Sequence, residues 1–336
     1  MKSQESAVDW RINMAEDIQL MLQRVRAYDP EKDADLPRYS HSKAEKFTSC
    51  NRAFMYKYKY GNYPKSDSIS TELGSIAHRV LECKALMKME GKTIDYDFLH
   101  KLLFEGDEEE KLIGVNKIKL KYKEEWEEFD SKSGMYYDEK IELFLTEVLP
   151  NEMEDDWEVL GAEVEFDIVY NDKYHITGFI DLLQCKRDAD NNITHIRVKD
   201  YKTSKKVFDR QHNVTAQQML IYTFAVYLIY GILPTEHVYD FILLNKTQSD
   251  DVLTSGYLKR GINKMDKLFA SIEECEETGI YRPNPSPLCH WCEFCQHNPN
   301  TEEPYSSMCS FYSLWTPYSK TFMTNEDYDE SYDEEI

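Results

Sequence analysis

Glu163-Val164-Glu165-Phe166-Asp167-Ile168-Val169-Tyr170 alternates polar and apolar side chains with a period of two, the pattern of a half-buried strand. Asn171-Asp172-Lys173 supplies turn residues, and Ile176 to Leu183 reads as a second strand. Asp188 to Asn192 turns the chain again before a third run, Ile193 to Tyr201. Three neighbouring strands with short turns predict an antiparallel meander. Downstream, Thr215 to Tyr230 is apolar on most sides, as expected of a helix laid on a sheet. Residues 234 to 245 suggest one more strand, and Ser255 to Thr278 a further helix. The fold class this order predicts is α/β, a mixed sheet flanked by helices.

Gly178-Phe179-Ile180-Asp181 lies on the second strand and Val198-Lys199-Asp200-Tyr201-Lys202 ends the third. Period-two geometry points Asp200 and Lys202 to one face. If Asp181 stands opposite Asp200, two carboxylates and an ammonium converge. Carboxylates suit Mg²⁺ or Mn²⁺, hard ions that bridge phosphates, and Lys202 would orient a water or balance developing charge. Taken alone, an Asp-x-Lys is equally the solvated end of a strand.

Upstream, residues 8 to 28 space apolar side chains at threes and fours and predict an amphipathic helix ended by Asp29-Pro30. Ser42 precedes Glu45 by three residues, a capping-box pattern, and the following helix would carry Phe47, Cys50, Phe54 and Tyr58 on one side. Tyr56 to Tyr60 interleaves tyrosine and lysine, which suits base stacking beside phosphates or a half-buried surface with a solvated lysine face. Gly74-Ser-Ile-Ala-His78 opens another helix; a lone helical histidine is more often structural than a ligand. Gly91-Lys92-Thr93 lacks the upstream glycine of a phosphate loop, Leu86 standing there, so no ATPase motor is expected. Residues 95 to 158 read as a charged helical insertion, with Trp126, Phe129, Phe144 and Leu145 as candidate buried positions.

The 336 residues carry a net charge of −22, which opposes nucleic-acid binding in bulk. Much of the acid is local: seven carboxylates and no Lys or Arg follow Asn325, predicting a solvated tail that competes with DNA for basic surface. Basic residues gather instead at Arg52, Lys57 and Lys59, and at Lys199, Lys202, Lys205, Lys206 and Arg210. No apolar run approaches the roughly 18 residues of a membrane span and no signal peptide is evident, so a soluble, cytoplasmic protein without membrane partners is expected.

Together, Gly178-Phe179-Ile180-Asp181, Asp200-Tyr201-Lys202 and Gln218-x-x-x-Tyr222 resemble the RecB-type branch of the PD-(D/E)XK nucleases, restriction-endonuclease-like in fold. Cys50-Asn-Arg-Ala-Phe-Met-Tyr and the His78 word resemble that branch's upstream motifs. The resemblance covers about residues 40 to 300. It implies that His78, Asp181, Asp200 and the main-chain carbonyl of Tyr201 hold Mg²⁺ or Mn²⁺ and that Lys202 assists the nucleophilic water. Gln218 and Tyr222 would face the DNA, with Arg52 and Lys205 as further DNA contacts. The expected function is a metal-dependent DNA exonuclease acting on single strands or ends in recombination, repair or viral genome processing, beside recombination, helicase or replication proteins. The alternative is a non-catalytic DNA-end or partner-binding subunit of the same fold.

Cys289-His-Trp-Cys292-Glu-Phe-Cys295 has the two-residue gaps that let thiolates wrap one metal centre. Resemblance to AddB-type nucleases and CRISPR-associated exonucleases implies a 4Fe-4S cluster on Cys50, Cys289 and Cys292. The family's last cysteine position holds Asn298 here, so Cys295, or else Cys309, would supply the fourth ligand. Structural Zn²⁺ using His290 or His297 is the alternative. Cys83, Cys185 and Cys275 are expected to be buried thiols. The expected organisation is an N-terminal helix (1–35), a nuclease domain (36–285) with the helical insertion (95–158), a cysteine-rich segment (286–312) packed on the Cys50 helix, and an acidic, disordered tail (313–336).

Overall fold

The computed structural model describes residues 18–63, 68–207, 217–250, 255–295 and 308–309. Arg210, His297, Asn298 and the acidic tail lie outside the described residues, as does most of the N-terminal helix expected over 8 to 28. The chain divides into two compact units, Met1–His41 with Ser68–Asp266, and Ser42–Asp67 with Lys267–Ile336.

The first unit is built on a seven-stranded mixed sheet. Its strands are β1 (Val25–Ala27), β2 (Arg38–Tyr39), β5 (Glu158–Tyr170), β6 (Tyr174–Arg187), β7 (Ile193–Lys202), β8 (Glu236–Phe241) and β9 (Lys246–Asp250), with β3 (Gly106–Asp107) and β4 (Leu112–Ile113) forming a separate hairpin. The order is β1-β5-β6-β7-β8-β9, with β2 beside β6. β5, β6 and β7 form the antiparallel meander expected from the alternation. Asn171 and Asp172 take left-handed φ of 53° and 56° in its first turn, a conformation that Asn and Asp tolerate better than most residues. β7 and β8 are parallel, and the helix Gln217–Tyr230 joins them, as a parallel pair requires a crossover.

The sheet is longer than its sequence signals. β5 starts at Glu158 rather than Glu163, because a register shift between Val159 and Gly161 interrupts the alternation without ending the ladder. Val25–Ala27, expected as the end of a helix, is a strand: described helix stops at Leu22, and the three residues pair with Ile168 to Tyr170. Cross-strand pairing outweighs a weak local helical period there.

The helix Ile69–Met89 is capped by Ser68, whose side chain accepts from the Thr71 N–H. Its Leu73, Ile76, Ala77, Val80 and Leu81 are buried with Leu99, Leu103, Trp126, Phe144 and Leu149 of the insertion and with Leu182 and Tyr201 of the sheet. Thus the insertion shares one core with the strands that carry Asp181 and Asp200. Phe129, a candidate for that core, is instead 55 % exposed; it follows the Lys123–Glu127 helix and packs edge-on against Tyr136.

Lys84, on the same helix, is fully buried, and its Nζ donates to the carbonyls of Leu149 (2.8 Å), Pro150 (3.2 Å) and Glu152 (2.7 Å). Leu149 and Pro150 belong to a short helix, Leu149–Asn151, and Glu152 ends it, so these are the last carbonyls of a helix, which lack intrahelical donors. Lys84→Met would fill the volume and strand the three acceptors, so we expect a loss of roughly 3 kcal/mol, read from the urea unfolding midpoint.

His237 on β8 is buried, and its Nε2 lies 3.1 Å from Thr223 Oγ1. Thr223 gives its own proton to the Met219 carbonyl, so Nε2 is the donor. Burial pushes its pKa down to about 4. The unfolded chain therefore binds a proton near pH 6.5 that the fold resists until about 4. Stability should fall by up to about 3 kcal/mol as pH drops through that window, and His237→Gln should flatten the dependence in urea titrations at pH 7.5 and 5.

In the second unit the helix expected to run through Tyr58 breaks at Cys50, which has extended backbone (φ −164°, ψ 115°). His41–Ser49 precedes it; Asn51–Phe54 and a π-helical turn, Met55–Lys59, follow. Phe47 and Phe54 still meet edge-on at 5.1 Å. No helix among the described residues is long and apolar enough to cross a membrane.

Candidate active site

Three strand residues and one helical residue build the site. β6 and β7 pair from Arg187↔Ile193 up to Leu182↔Lys199; one step further this register sets Asp181 opposite Asp200. There the ladder stops, and the Tyr201 N–H donates to Asp181 Oδ2 at 2.7 Å instead of to a strand carbonyl. On the other side of β6 the β5 register sets Glu163 opposite Asp181, between the pairs Ala162↔Leu182 and Val164↔Ile180. Glu163 has a left-handed φ of 45°. Carboxylates of three adjacent strands therefore form one row.

His78 reaches this row from the helix Ile69–Met89, its Nδ1 3.6 Å from Asp181 Oδ2. Gly74, one turn earlier, permits the approach: a Cβ there would stand 2.9 Å from Thr203 Oγ1, just past the end of β7. Ligand atoms of His78, Glu163 and Asp181 all lie within 4.8 Å of one another.

The electrostatics are those of a site short of positive charge. Burial, reinforced by Asp181, pushes Glu163 up to about 7. Burial and the neighbouring Asp200 raise Asp181 above the usual carboxylate range. Burial lowers His78, leaving a neutral imidazole able to act as a ligand. Asp200 is 2 % exposed, and its Oδ2 is in ionic contact with Lys202 but has no hydrogen-bond donor. Clustered carboxylates, Asp200 buried and Glu163 and Asp181 partly so, together with a neutral imidazole, fit a hard divalent cation.

Lys202 is held from the opposite side. Its Nζ donates to Gln218 Oε1 (3.1 Å), Gln218 Nε2 to the Tyr222 hydroxyl (2.9 Å), and that hydroxyl to Asp200 Oδ1 (3.3 Å). Lys202, Gln218, Tyr222 and Asp200 so close a ring, with Tyr222 buried against Phe166. Gln218 and Tyr222, expected to face DNA, both bond to the catalytic candidates. Gln218→Ala should lower the turnover number about tenfold through a misplaced Lys202 while leaving divalent-metal affinity unchanged; parallel kinetics and metal titration check this.

Tyr201 is anchored below the row. Its hydroxyl is 3.1 Å from Glu152 Oε1, and Lys199 Nζ lies 2.5 Å from that same oxygen and 3.1 Å from Asp240 Oδ2. A buried network thus ties the end of the insertion to the strand that carries Asp200.

The remaining expected contacts fall elsewhere. Lys205 is half-buried, its Nζ 5.7 Å from the Tyr137 ring. Arg52, in the second unit, is only 3 % exposed, so the expected phosphate contact is not open to it. Nearby Tyr56 is buried, whereas Tyr60 and Tyr63 are exposed.

Within the second unit, Cys50, Cys289, Cys292, Cys295 and Cys309 all line one cavity of about 280 Å³. Cys295 and Cys309 sit on a parallel β-bridge, and the Cys309 N–H donates to the Phe294 carbonyl. Cys50 Sγ accepts from the Asn284 N–H, and Cys289 Sγ from the Ser286 N–H, each at 3.4 Å. Burial raises the Cys289 thiol and pushes Cys292 up to about 11. Cys185 and Cys275 are buried; Cys83 is half-buried.

Sequence reasoning missed Glu163 as a site residue, although it opens the decisive stretch. Comparison with known proteins identifies the frame: the family model of the PD-(D/E)XK nuclease superfamily matches residues 38–297. The chain belongs to that superfamily. Its nucleases generally use divalent metals such as Mg²⁺ or Mn²⁺, in keeping with the donor set above. No curated protein matches the chain. Among solved structures, a candidate exonuclease from Eubacterium rectale is similar at 14 % identity with a TM-score of 0.43, covering 84 % of this chain and 94 % of that one.

Proposed function

We propose that the chain is a Mg²⁺- or Mn²⁺-dependent deoxyribonuclease of the RecB-like branch, working as an exonuclease on single-stranded DNA or DNA ends. One observation carries this reading: Glu163, Asp181 and Asp200 form a row across three strands, with His78 against Asp181 and Lys202 against Asp200. His78, Asp181, Asp200 and the carbonyl of Tyr201 would hold the metal, and Glu163 joins them. A metal held there would polarise a phosphodiester oxygen and lower the pKa of a water. Lys202 would orient the attacking water in line and offset charge on the phosphorane oxygens. The Gln218–Tyr222 pair keeps Lys202 and Asp200 in register during the step.

The five sulfurs around one cavity support a 4Fe-4S cluster of the AddB type on Cys50, Cys289, Cys292 and either Cys295 or Cys309. Thiolates on one zinc ion at about 2.3 Å stand only about 3.8 Å apart; among the described residues no three cysteine sulfurs lie together within 4.8 Å. A polynuclear centre fits the wider spacing. Iron without zinc in the purified protein, with broad visible absorption, is the expected result. Recombination, repair or viral genome processing, alongside helicase or replication proteins, is the setting such an activity suits.

End-labelled single- and double-stranded DNA, incubated with the intact protein and Mn²⁺, should release short labelled products that Asp200→Ala does not release. Undigested DNA in both reactions would overturn the reading.

A further inference from the structure

Glu152 bonds to both of the elements that deliver His78 and Asp200. Its main-chain carbonyl accepts from Lys84 Nζ at 2.7 Å, and Lys84 stands on the helix Ile69–Met89, less than two turns beyond His78. Its side-chain Oε1 accepts from Lys199 Nζ at 2.5 Å and from the Tyr201 hydroxyl at 3.1 Å, the two residues that flank Asp200 on β7. At 7 % exposure it does so from inside the core, out of reach of a substrate.

Backbone strain marks the same place. Met153, the next residue, is buried at a left-handed φ of 62°, a conformation that residues other than glycine keep where their surroundings over-determine it. Lys88, one turn after Lys84, donates to the Met153 carbonyl. Two lysines of the His78 helix therefore grip the chain on either side of the Glu152 side chain.

Tyr201 carries that grip into the site. Past the pair Leu182↔Lys199 the β6–β7 ladder stops, and the Tyr201 N–H turns to Asp181 Oδ2. The Tyr201 ring meets the His78 ring edge-on at 5.8 Å. One residue thus touches two of the groups read as metal ligands, and Glu152 pins its far end. Apolar packing of the helix on the sheet is non-directional, whereas the hydrogen bonds through Glu152 fix a distance.

We infer that Glu152 is a positioning residue that sets the separation of His78 from Asp181 and Asp200, and with it the affinity of the site for a divalent cation. The inference rests on the metal-dependent reading above and extends it to a residue that never touches the cation. Lys199 also pairs with Asp240, at 3.1 Å, so a change at Glu152 does not leave its buried ammonium alone.

Three variants of the full-length chain separate positioning from stability. Tyr201→Phe removes the hydroxyl and keeps the main chain and the Lys199 ion pairs. Glu152→Ala removes the acceptor, and Glu152→Gln retains an oxygen for both donors. In calorimetric Mn²⁺ titrations, Tyr201→Phe and Glu152→Ala should bind about tenfold more weakly, as when a partner that orients a metal ligand is lost. Glu152→Gln should bind as wild type does. Tyr201→Phe decides the matter should Glu152→Ala fail to fold. Wild-type Mn²⁺ affinity in Tyr201→Phe would overturn the inference, whatever its melting temperature, and leave Glu152 a structural residue. Equal losses in Glu152→Gln and Glu152→Ala would overturn it too, because charge rather than position would then matter. A wild-type protein that binds Mn²⁺ but leaves DNA intact defeats the nuclease reading alone; one that binds no Mn²⁺ defeats both.

Discussion

Asp181→Asn is expected to abolish DNA hydrolysis, by at least about a thousandfold, while leaving the protein as stable as before or more so. The two effects share one cause. Burial and the field of Asp200 push Asp181 up to about 8, so ionising it to receive a cation works against the fold, a cost that asparagine does not carry. The amide oxygen can still accept the Tyr201 N–H that now reaches Oδ2, which preserves the splay of β6 and β7. What asparagine cannot supply is the negative charge that binds a divalent cation, and a nuclease of this kind loses several kcal/mol of transition-state stabilisation without its metal. A thermal melt at or above wild type, combined with loss of labelled product, is the paired signature. A large drop in melting temperature would show instead that Asp181 is structural.

Glu163→Gln should weaken Mn²⁺ binding by at least about tenfold, with turnover at saturating metal falling less. Glu163 lies within ligand distance of both His78 and Asp181, and it is pushed up to about 7 by burial first and Asp181 second. A bound cation reverses that repulsion, so the carboxylate gains most from the metal. Loss of groups merely supporting a ligand costs metal sites ten- to a hundredfold, and a direct ligand should cost no less. Calorimetric titration of the variant checks this; wild-type affinity would remove Glu163 from the ligand set.

The part of this site legible in the sequence was the part fixed by local periodicity. Strand alternation set the meander and the common face of Asp200 and Lys202; the opposition of Asp181 and Asp200 stood only as a condition until the register supplied it. Glu163 escaped because Glu163, Glu165 and Asp167 alternate as any solvated face does. Only the left-handed backbone at Glu163 and the register beside Asp181 distinguish it, and neither is a local property. The same limit hid β1, β2 and β9, which are held by neighbours rather than by their own pattern. It also concealed the ring through Gln218 and Tyr222: four-residue spacing puts both on one helix face, but not against Lys202. Phe129 misled in the opposite sense, an apolar residue in a helical insertion that the turn at Asp130 leaves outside the core. Cys289, Cys292 and Cys295 stood out by spacing, whereas Cys50 and Cys309 entered only through the family resemblance, and the break at Cys50 was not visible at all.

Everything proposed for the reaction depends on His78, Glu163, Asp181 and Asp200 acting as one metal site. The most direct measurement is electron paramagnetic resonance of Mn²⁺ titrated into the purified protein, alongside Asp181→Asn and Gln218→Ala. The account predicts tight binding by wild type, the same binding by Gln218→Ala, and none by Asp181→Asn. Equal binding by wild type and Asp181→Asn would contradict it.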